Sequence, residues 1–145
     1  MVEKFPQTLP TTNPKFILLG EDDIDDQEFL AEALQSIDKS YIFKSLENGK
    51  LLISFLESLP AEGLPDLIIL DYNLPLLNGA EILHLLNQHE RYAAIPKIVW
   101  STSKSPACKA DCLRMGASDY VVKPNDMGAL KDVANYMLSF CQVKS

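Results

Sequence analysis

The chain has 145 residues, of which 47% are hydrophobic and 23% charged, and its formal net charge is -7. This length and composition favour one globular domain with a real core, and the acidic balance argues against nucleic-acid binding, which needs clustered Lys and Arg. No apolar stretch approaches the length of a membrane span, and the N-terminus lacks the apolar core of a signal peptide, so we expect a cytoplasmic protein.

The predicted elements alternate between strand and helix along most of the chain. Residues 1–14 contain three prolines and predict an extended arm. Short apolar runs then predict strands over 15–19, 41–46, 66–71, 97–101 and 119–123. Apolar residues at helical spacing predict helices over 30–37, 49–59, 78–89, 105–116 and 130–141. This alternation predicts an α/β fold with a parallel sheet and helices on both faces.

The domain predicted from these elements covers residues 15–141. The four residues after it, 142–145, are expected to form a short C-terminal tail. They leave no room for an output domain, so we expect a stand-alone module that acts through protein contacts.

Acidic residues crowd the segment that follows the first predicted strand, where six of the eight residues in "EDDIDDQE" are acidic. Acids are favoured at the start of a helix, and Asp25 with Glu28 fits a capping box. We therefore interpret Asp25, Asp26 and Glu28 as helix-start charges, while Asp23 fits either group. Glu21 and Asp22 stand directly at the strand end.

Polar groups also end three other predicted strands: Asp71, Ser101 and Lys123. In a parallel α/β sheet, ligands bind beyond the carboxyl ends of the strands, so these groups are expected to converge with Glu21 and Asp22. Oxygen ligands of this kind suit Mg²⁺, and a lysine supplies a point charge for a phosphoryl oxygen. Asp71 would then be the nucleophile of a phosphoryl transfer.

Each of these residues also has an ordinary structural explanation. Asp71 would cap the following turn, and Lys123 would be a solvated strand end. That account needs a separate coincidence at each of four strand ends. The presence of polar groups at all four ends therefore favours a functional site. The cysteines Cys108 and Cys112 lie four residues apart on a predicted helix, and we interpret them as small buried hydrophobes in preference to a zinc site.

The motifs "ILLGEDD", "LIILDYNLPLLNG", "IPKIVWSTS" and "GASDYVVKP" resemble the receiver domain of two-component response regulators. The resemblance covers about residues 15–141. It implies a flavodoxin-like fold whose five parallel strands have the order 2-1-3-4-5. It also implies a phosphoprotein of two-component signalling, phosphorylated on aspartate, and not an enzyme acting on other molecules.

The resemblance implies specific roles around the phosphorylation site. Asp71 matches the phosphoacceptor. Asp22 would bind Mg²⁺ directly, Glu21 would act through water, and Asn73 would offer its backbone carbonyl to the metal.

Four further positions match residues that the family has near the phosphorylation site. Lys123 matches the family's site lysine, Ser101 the hydroxyl switch position and Tyr120 the aromatic switch position. Pro124 stands where the family usually has a cis peptide bond. Phosphorylation is then expected to change the surface formed by the fourth helix, the fifth strand and the fifth helix.

The implied partners are a sensor histidine kinase or a histidine phosphotransfer protein, together with an output protein that the sequence does not name. Neither nucleic acid nor membrane is expected, and the protein is expected to be a monomer or a dimer linked to phosphorylation. A phosphorelay intermediate is one alternative, and a partner-binding module that needs no phosphate is another. An Asp-nucleophile phosphatase is disfavoured, because Asn73 stands where such enzymes have their second Asp as general acid.

Overall fold

A computed structural model of the protein describes residues 14–141. One parallel sheet has the order β2-β1-β3-β4-β5, which confirms the predicted fold class and strand order. The strands are β1 (Phe16–Gly20), β2 (Ile42–Leu46), β3 (Leu67–Asp71), β4 (Lys97–Ser101) and β5 (Asp119–Val122). Each lies within about one residue of its predicted range, as expected where apolar runs end sharply at polar residues.

Burial follows position in the sheet. Every residue of β3 and β4 is buried, whereas the edge strands β2 and β5 are partly exposed. A central parallel strand is covered by helices on both faces, which explains why its sequence is a nearly continuous apolar run and does not alternate.

Within the described part of the chain, four main helices connect the strands and a fifth follows β5. They are α1 (Ile24–Ile37), α2 (Gly49–Ser58), α3 (Gly79–Asn87), α4 (Pro106–Arg114) and α5 (Met127–Leu138). Short helical turns lie at Ala61–Gly63 and Glu90–Ala93 in the connections. The third helix therefore ends two residues earlier than the predicted 89, and the chain adds a turn before β4.

The sheet separates two apolar cores. On one face α1 and α5 pack against alternate residues of the strands, including Leu19, Ile69 and Trp100. On the other face α2, α3 and α4 pack against the remaining positions, including Leu18 and Val99. A side chain at a strand end therefore leans toward one helical layer or the other, according to its parity along the strand.

The first helix begins earlier than its predicted capping box. Asp23 is the N-cap, and its side chain accepts a 3.0 Å hydrogen bond from the backbone N–H of Asp26. The predicted box of Asp25 with Glu28 is therefore wrong, because Asp25 already lies inside the first helical turn. A full capping box is instead present at the start of α3, between Asn78 and Glu81.

Two sequence predictions concern parts of the chain that fall largely outside this description. The predicted arm, 1–14, has only Pro14 among the described residues, and the predicted tail, 142–145, has none. Across residues 14–141, no helix combines the length and the apolar character needed to cross a bilayer.

Candidate functional site

Lys123 lies at the centre of a cluster of carboxylates beyond the carboxyl ends of the strands. Its Nζ donates hydrogen bonds to Glu21 Oε1 at 2.8 Å, to Asp26 Oδ2 at 2.8 Å and to Asp71 Oδ2 at 2.9 Å. A lysine ammonium has three N–H donors, so these carboxylates engage all of them. The structure thus brings together three of the predicted site residues, Glu21, Asp71 and Lys123, from the ends of three different strands.

Asp26 is the member of this cluster that sequence reasoning missed. Its interpretation as a helix-start charge alone is wrong, since its side chain reaches Lys123. The signal was present in the helical spacing, because Asp26 precedes the buried residues Leu30 and Ala33 by four and seven positions. That spacing places Asp26 at the head of the stripe of α1 that faces the sheet.

Asp71 is held through both of its carboxylate oxygens. Oδ2 accepts from Lys123, and Oδ1 accepts a 2.8 Å hydrogen bond from the backbone N–H of Asn73. The residue is only 6% exposed, whereas Asn73 is exposed on the following loop. The carboxylate therefore has a fixed orientation at the base of a site that opens toward this loop.

One cluster within residues 14–141 has the donors and spacing to hold a metal ion. Glu21, Asp22 and Asp71 each offer a carboxylate oxygen, and these atoms lie within 4.8 Å of one another. Glu21 and Asp71 are buried while Asp22 is exposed. A donor set made only of oxygens fits a hard divalent cation, and the exposed side leaves room for water ligands.

Burial and neighbouring charges shift the pKa values of Glu21 and Lys123, the two groups beside Asp71. Burial raises the pKa of Glu21 to about 8, and a hydrogen bond with Asp71 adds to the rise, while Lys123 opposes it. Burial by itself lowers the pKa of Lys123, but hydrogen bonds to Asp26, Glu21 and Asp71 outweigh it and raise that pKa above its usual value. Lys123 therefore stays an ammonium at neutral pH.

The two predicted switch residues share one neighbour, the backbone of Ser103. Ser101 is fully buried, and its Oγ accepts a 3.1 Å hydrogen bond from the Ser103 N–H. Tyr120 is 5% exposed, and its hydroxyl donates a 2.8 Å hydrogen bond to the Ser103 carbonyl. A displacement of Ser101 could therefore move Tyr120 through the backbone of Ser103 alone.

Trp100 lies beneath the cluster and was not singled out as a site residue. It pairs with Asp71 across β3 and β4, is 2% exposed, and has Lys123 Nζ 4.9 Å from its ring centroid. A cation over an indole face is an attractive contact. Its indole N–H is buried and makes no hydrogen bond within the described part of the chain.

The structure also bears on the expectations for Pro124 and for the cysteines. The peptide bonds of residues 14–141 are all trans, so the cis bond expected before Pro124 is wrong. The three cysteines are free thiols, with Cys112 buried, and none belongs to the metal-capable cluster described above.

Comparison with known families identifies the chain. Residues 17–135 match the family model of the response regulator receiver domain, which is most of the sequence. The chain belongs to this family. Receiver domains are signalling domains that sensor histidine kinases phosphorylate, and the acidic cluster and lysine of this receiver lie where its strands end.

Individual relatives agree with this assignment. A protein-glutamate methylesterase/protein-glutamine glutaminase of Trichodesmium erythraeum is 29% identical over 127 residues, 86% of this chain but 34% of that protein. The chain thus spans about a third of that relative, so the likeness concerns one part of it.

Two solved structures are similar over nearly their whole length. The phosphorylated cyanobacterial phytochrome response regulator RcpA has a TM-score of 0.80 at 25% identity, covering 88% of this chain and 94% of that one. The Mn²⁺-bound response regulator Rcp1 has a TM-score of 0.77 at 27% identity, covering 91% and 98%. A divalent metal in a similar receiver agrees with the oxygen donors found here.

Proposed function

We propose that this receiver accepts a phosphoryl group on Asp71 from the phosphohistidine of a sensor histidine kinase or a histidine phosphotransfer protein, in a Mg²⁺-dependent reaction. The observation that carries the proposal is the 2.9 Å contact between Lys123 Nζ and Asp71 Oδ2, beside carboxylates spaced to hold a metal. A nucleophile, a fixed cation and an oxygen-donor site then share one cleft.

The chemistry follows from these positions. A carboxylate oxygen of Asp71 attacks the phosphorus atom, the bond from phosphorus to the donor nitrogen breaks, and its electron pair returns to that nitrogen. Lys123 donates to a phosphoryl oxygen and offsets its charge. Glu21, Asp22, Asp71 and the backbone carbonyl of Asn73 would hold Mg²⁺, which when bound neutralises further charge on the transferring group.

The response to phosphorylation would run through Ser101 and Tyr120. The Ser101 hydroxyl moves to donate to a phosphoryl oxygen and gives up its contact with the Ser103 N–H. The Ser103 backbone then readjusts, and Tyr120 with it, because its hydroxyl is bonded to the same residue. The surface of α4, β5 and α5 changes as a shift toward a second conformation, which a protein partner reads.

This function needs no turnover of a separate substrate, so we describe the protein as a cytoplasmic signalling module and not an enzyme. The output protein is reached through protein contacts, by a monomer or by a dimer that phosphorylation promotes. A phosphorelay intermediate that passes the group on to a histidine is the alternative, and it uses the same Asp71 chemistry.

The mass of the intact protein tests the proposal after incubation with Mg²⁺ and phosphoramidate, a small phosphodonor. Wild type is expected to gain one phosphoryl group. It should gain none when the metal is chelated before the donor is added. Asp71→Asn should gain none. Asp132→Asn, which changes an exposed aspartate of α5, should behave as wild type. An adduct that persists in Asp71→Asn would overturn the assignment.

A further inference from the structure

We infer that Asp26 is a positioning residue for Lys123: it holds the ammonium beside Asp71 when the metal and the phosphoryl group engage the other carboxylates. This inference rests on the proposed phosphorylation of Asp71. It gives a functional role to a residue whose position in the acidic run suggests only a helix-start charge.

The three carboxylates around Lys123 are not equivalent. Glu21 and Asp71 both belong to the metal-capable cluster, whereas Asp26 does not. Among the described residues that contact Lys123, Asp26 is thus the carboxylate with no second task in the reaction. It is also the most accessible of the three, with its side chain 33% exposed against 0% for Glu21 and 8% for Asp71.

The partners of Lys123 change during phosphoryl transfer. When Asp71 accepts the phosphoryl group, one of its oxygens becomes part of the acyl phosphate and the carboxylate loses its charge. When the metal is bound, Glu21 faces a second and stronger cation. Asp26 keeps its full charge throughout, and a charge-assisted hydrogen bond of this kind is among the strong ones in proteins.

The start of α1 holds Asp26 in a fixed position. It lies in the first turn of α1, its backbone N–H is bonded to the N-cap Asp23, and Leu30 one turn later is fully buried against the sheet. The ring of Trp100 also lies 4.9 Å from the Lys123 Nζ. The ammonium therefore contacts both a carboxylate on a fixed helix and an aromatic face in the core.

A matched pair of variants separates positioning from simple charge. Asp26→Asn and Asp25→Asn each remove one negative charge from the same helical turn, so both lose the same kind of interaction with the helix dipole. Asp25 is exposed, and it is not among the carboxylates that form an ion pair with Lys123. Loss of either charge also favours approach of an anionic donor, so general electrostatics predicts faster transfer in both.

The first measurement is the rate of phosphorylation of Asp71 by phosphoramidate at saturating Mg²⁺ and donor. Asp26→Asn is expected to react more slowly than wild type by on the order of tenfold, the size of one charge-assisted hydrogen bond. Asp25→Asn is expected to match or exceed wild type. Equal rates in wild type and Asp26→Asn, or equal slowing in both variants, would overturn the inference.

The second measurement reads the position of Lys123 without any reaction. Trp100 is the only tryptophan of the chain, so its fluorescence reports on the cation above its ring. Asp26→Asn should shift this emission and Asp25→Asn should leave it unchanged. In a Lys123→Met background, Asp26→Asn should have no further effect, and a shift that persists there would contradict the inference.

The two measurements also separate this inference from the function on which it rests. If wild type takes up no phosphoryl group, the proposed function fails. The Trp100 fluorescence of the single and double variants still decides whether Asp26 positions Lys123. If wild type is phosphorylated and the variants do not differ, only the role of Asp26 is overturned.

Discussion

The hydroxyl of Tyr120 donates a 2.8 Å hydrogen bond to the backbone carbonyl of Ser103, two residues beyond Ser101. Because Tyr120 is nearly fully buried, loss of this hydroxyl leaves the Ser103 carbonyl without its partner beside a buried ring. Tyr120→Phe is therefore expected to lower the free energy of unfolding by about 1 kcal/mol, measured by urea denaturation of the unphosphorylated protein.

A second tyrosine supplies the control for this prediction. The hydroxyl of Tyr136 is also hydrogen-bonded, to Asp119, but Tyr136 is 46% exposed and water replaces the lost partner. Tyr136→Phe should therefore cost less than Tyr120→Phe. If both variants lose the same free energy of unfolding, the buried bond to Ser103 contributes no more than the exposed bond to Asp119.

Removal of the lysine charge is expected to be costly. Lys123→Met leaves the buried carboxylate of Asp71 without its cation, and breaking such a pair typically costs about 3 kcal/mol or more. Urea denaturation in the presence of a chelator measures this loss. Addition of Mg²⁺ should restore part of it, since a metal bound by the native state supplies the missing charge and stabilises that state.

Lys131→Met serves as the control, because Lys131 is an exposed lysine of α5. It should change stability little, with or without the metal. A Lys123→Met variant as stable as wild type in the presence of a chelator would contradict the electrostatic account of the site.

The sequence was sufficient for the architecture because the relevant signals are local. Runs such as that of Leu67–Asp71 are short, apolar and ended by a polar residue, which identifies central parallel strands and places their last residues at one edge of the sheet. The strand ends therefore predicted that Asp71 and Lys123 would lie close together, without any knowledge of side-chain contacts.

The details that sequence did not provide depend on how elements pack. Asp26 reaches Lys123 because α1 begins at Ile24 and packs its buried residues against the sheet, with Asp26 at the head of that stripe. The capping pattern at Asp25 was plausible locally, but Asp23 supplies a competing cap two residues earlier. Likewise, the size of Trp100 was evident from sequence, but not that its ring would lie under the ammonium.

Stability should depend on pH through Glu21. Burial raises its pKa in the folded protein to about 8 from an ordinary value of 4.5, so between these values the folded state binds a proton that the unfolded chain has lost. In metal-free solution, the contribution of Glu21 to the free energy of unfolding should therefore fall as pH rises from 4.5 to 8.

The difference in unfolding free energy between wild type and Glu21→Gln isolates this effect. Glutamine does not titrate, so the variant should gain on wild type as pH rises through that window. Glu28→Gln, which changes an exposed acid of α1, should show no such trend. A difference between wild type and Glu21→Gln that stays constant with pH would mean that Glu21 is ionised throughout.

The loop after Asp71 contains a strained residue whose replacement should stabilise the protein. Leu76 has φ 71°, in the left-handed region that costs a residue with a Cβ about 1 kcal/mol, and its side chain is 65% exposed. Leu76→Gly relieves this strain and gives up little buried surface, so it is expected to raise the free energy of unfolding by up to about 1 kcal/mol, as measured by urea denaturation. Leu76→Ala also removes the side chain but keeps the Cβ, and should bring no gain. If the alanine variant is stabilised as much as the glycine variant, exposure of the leucine and not its backbone conformation is the cause.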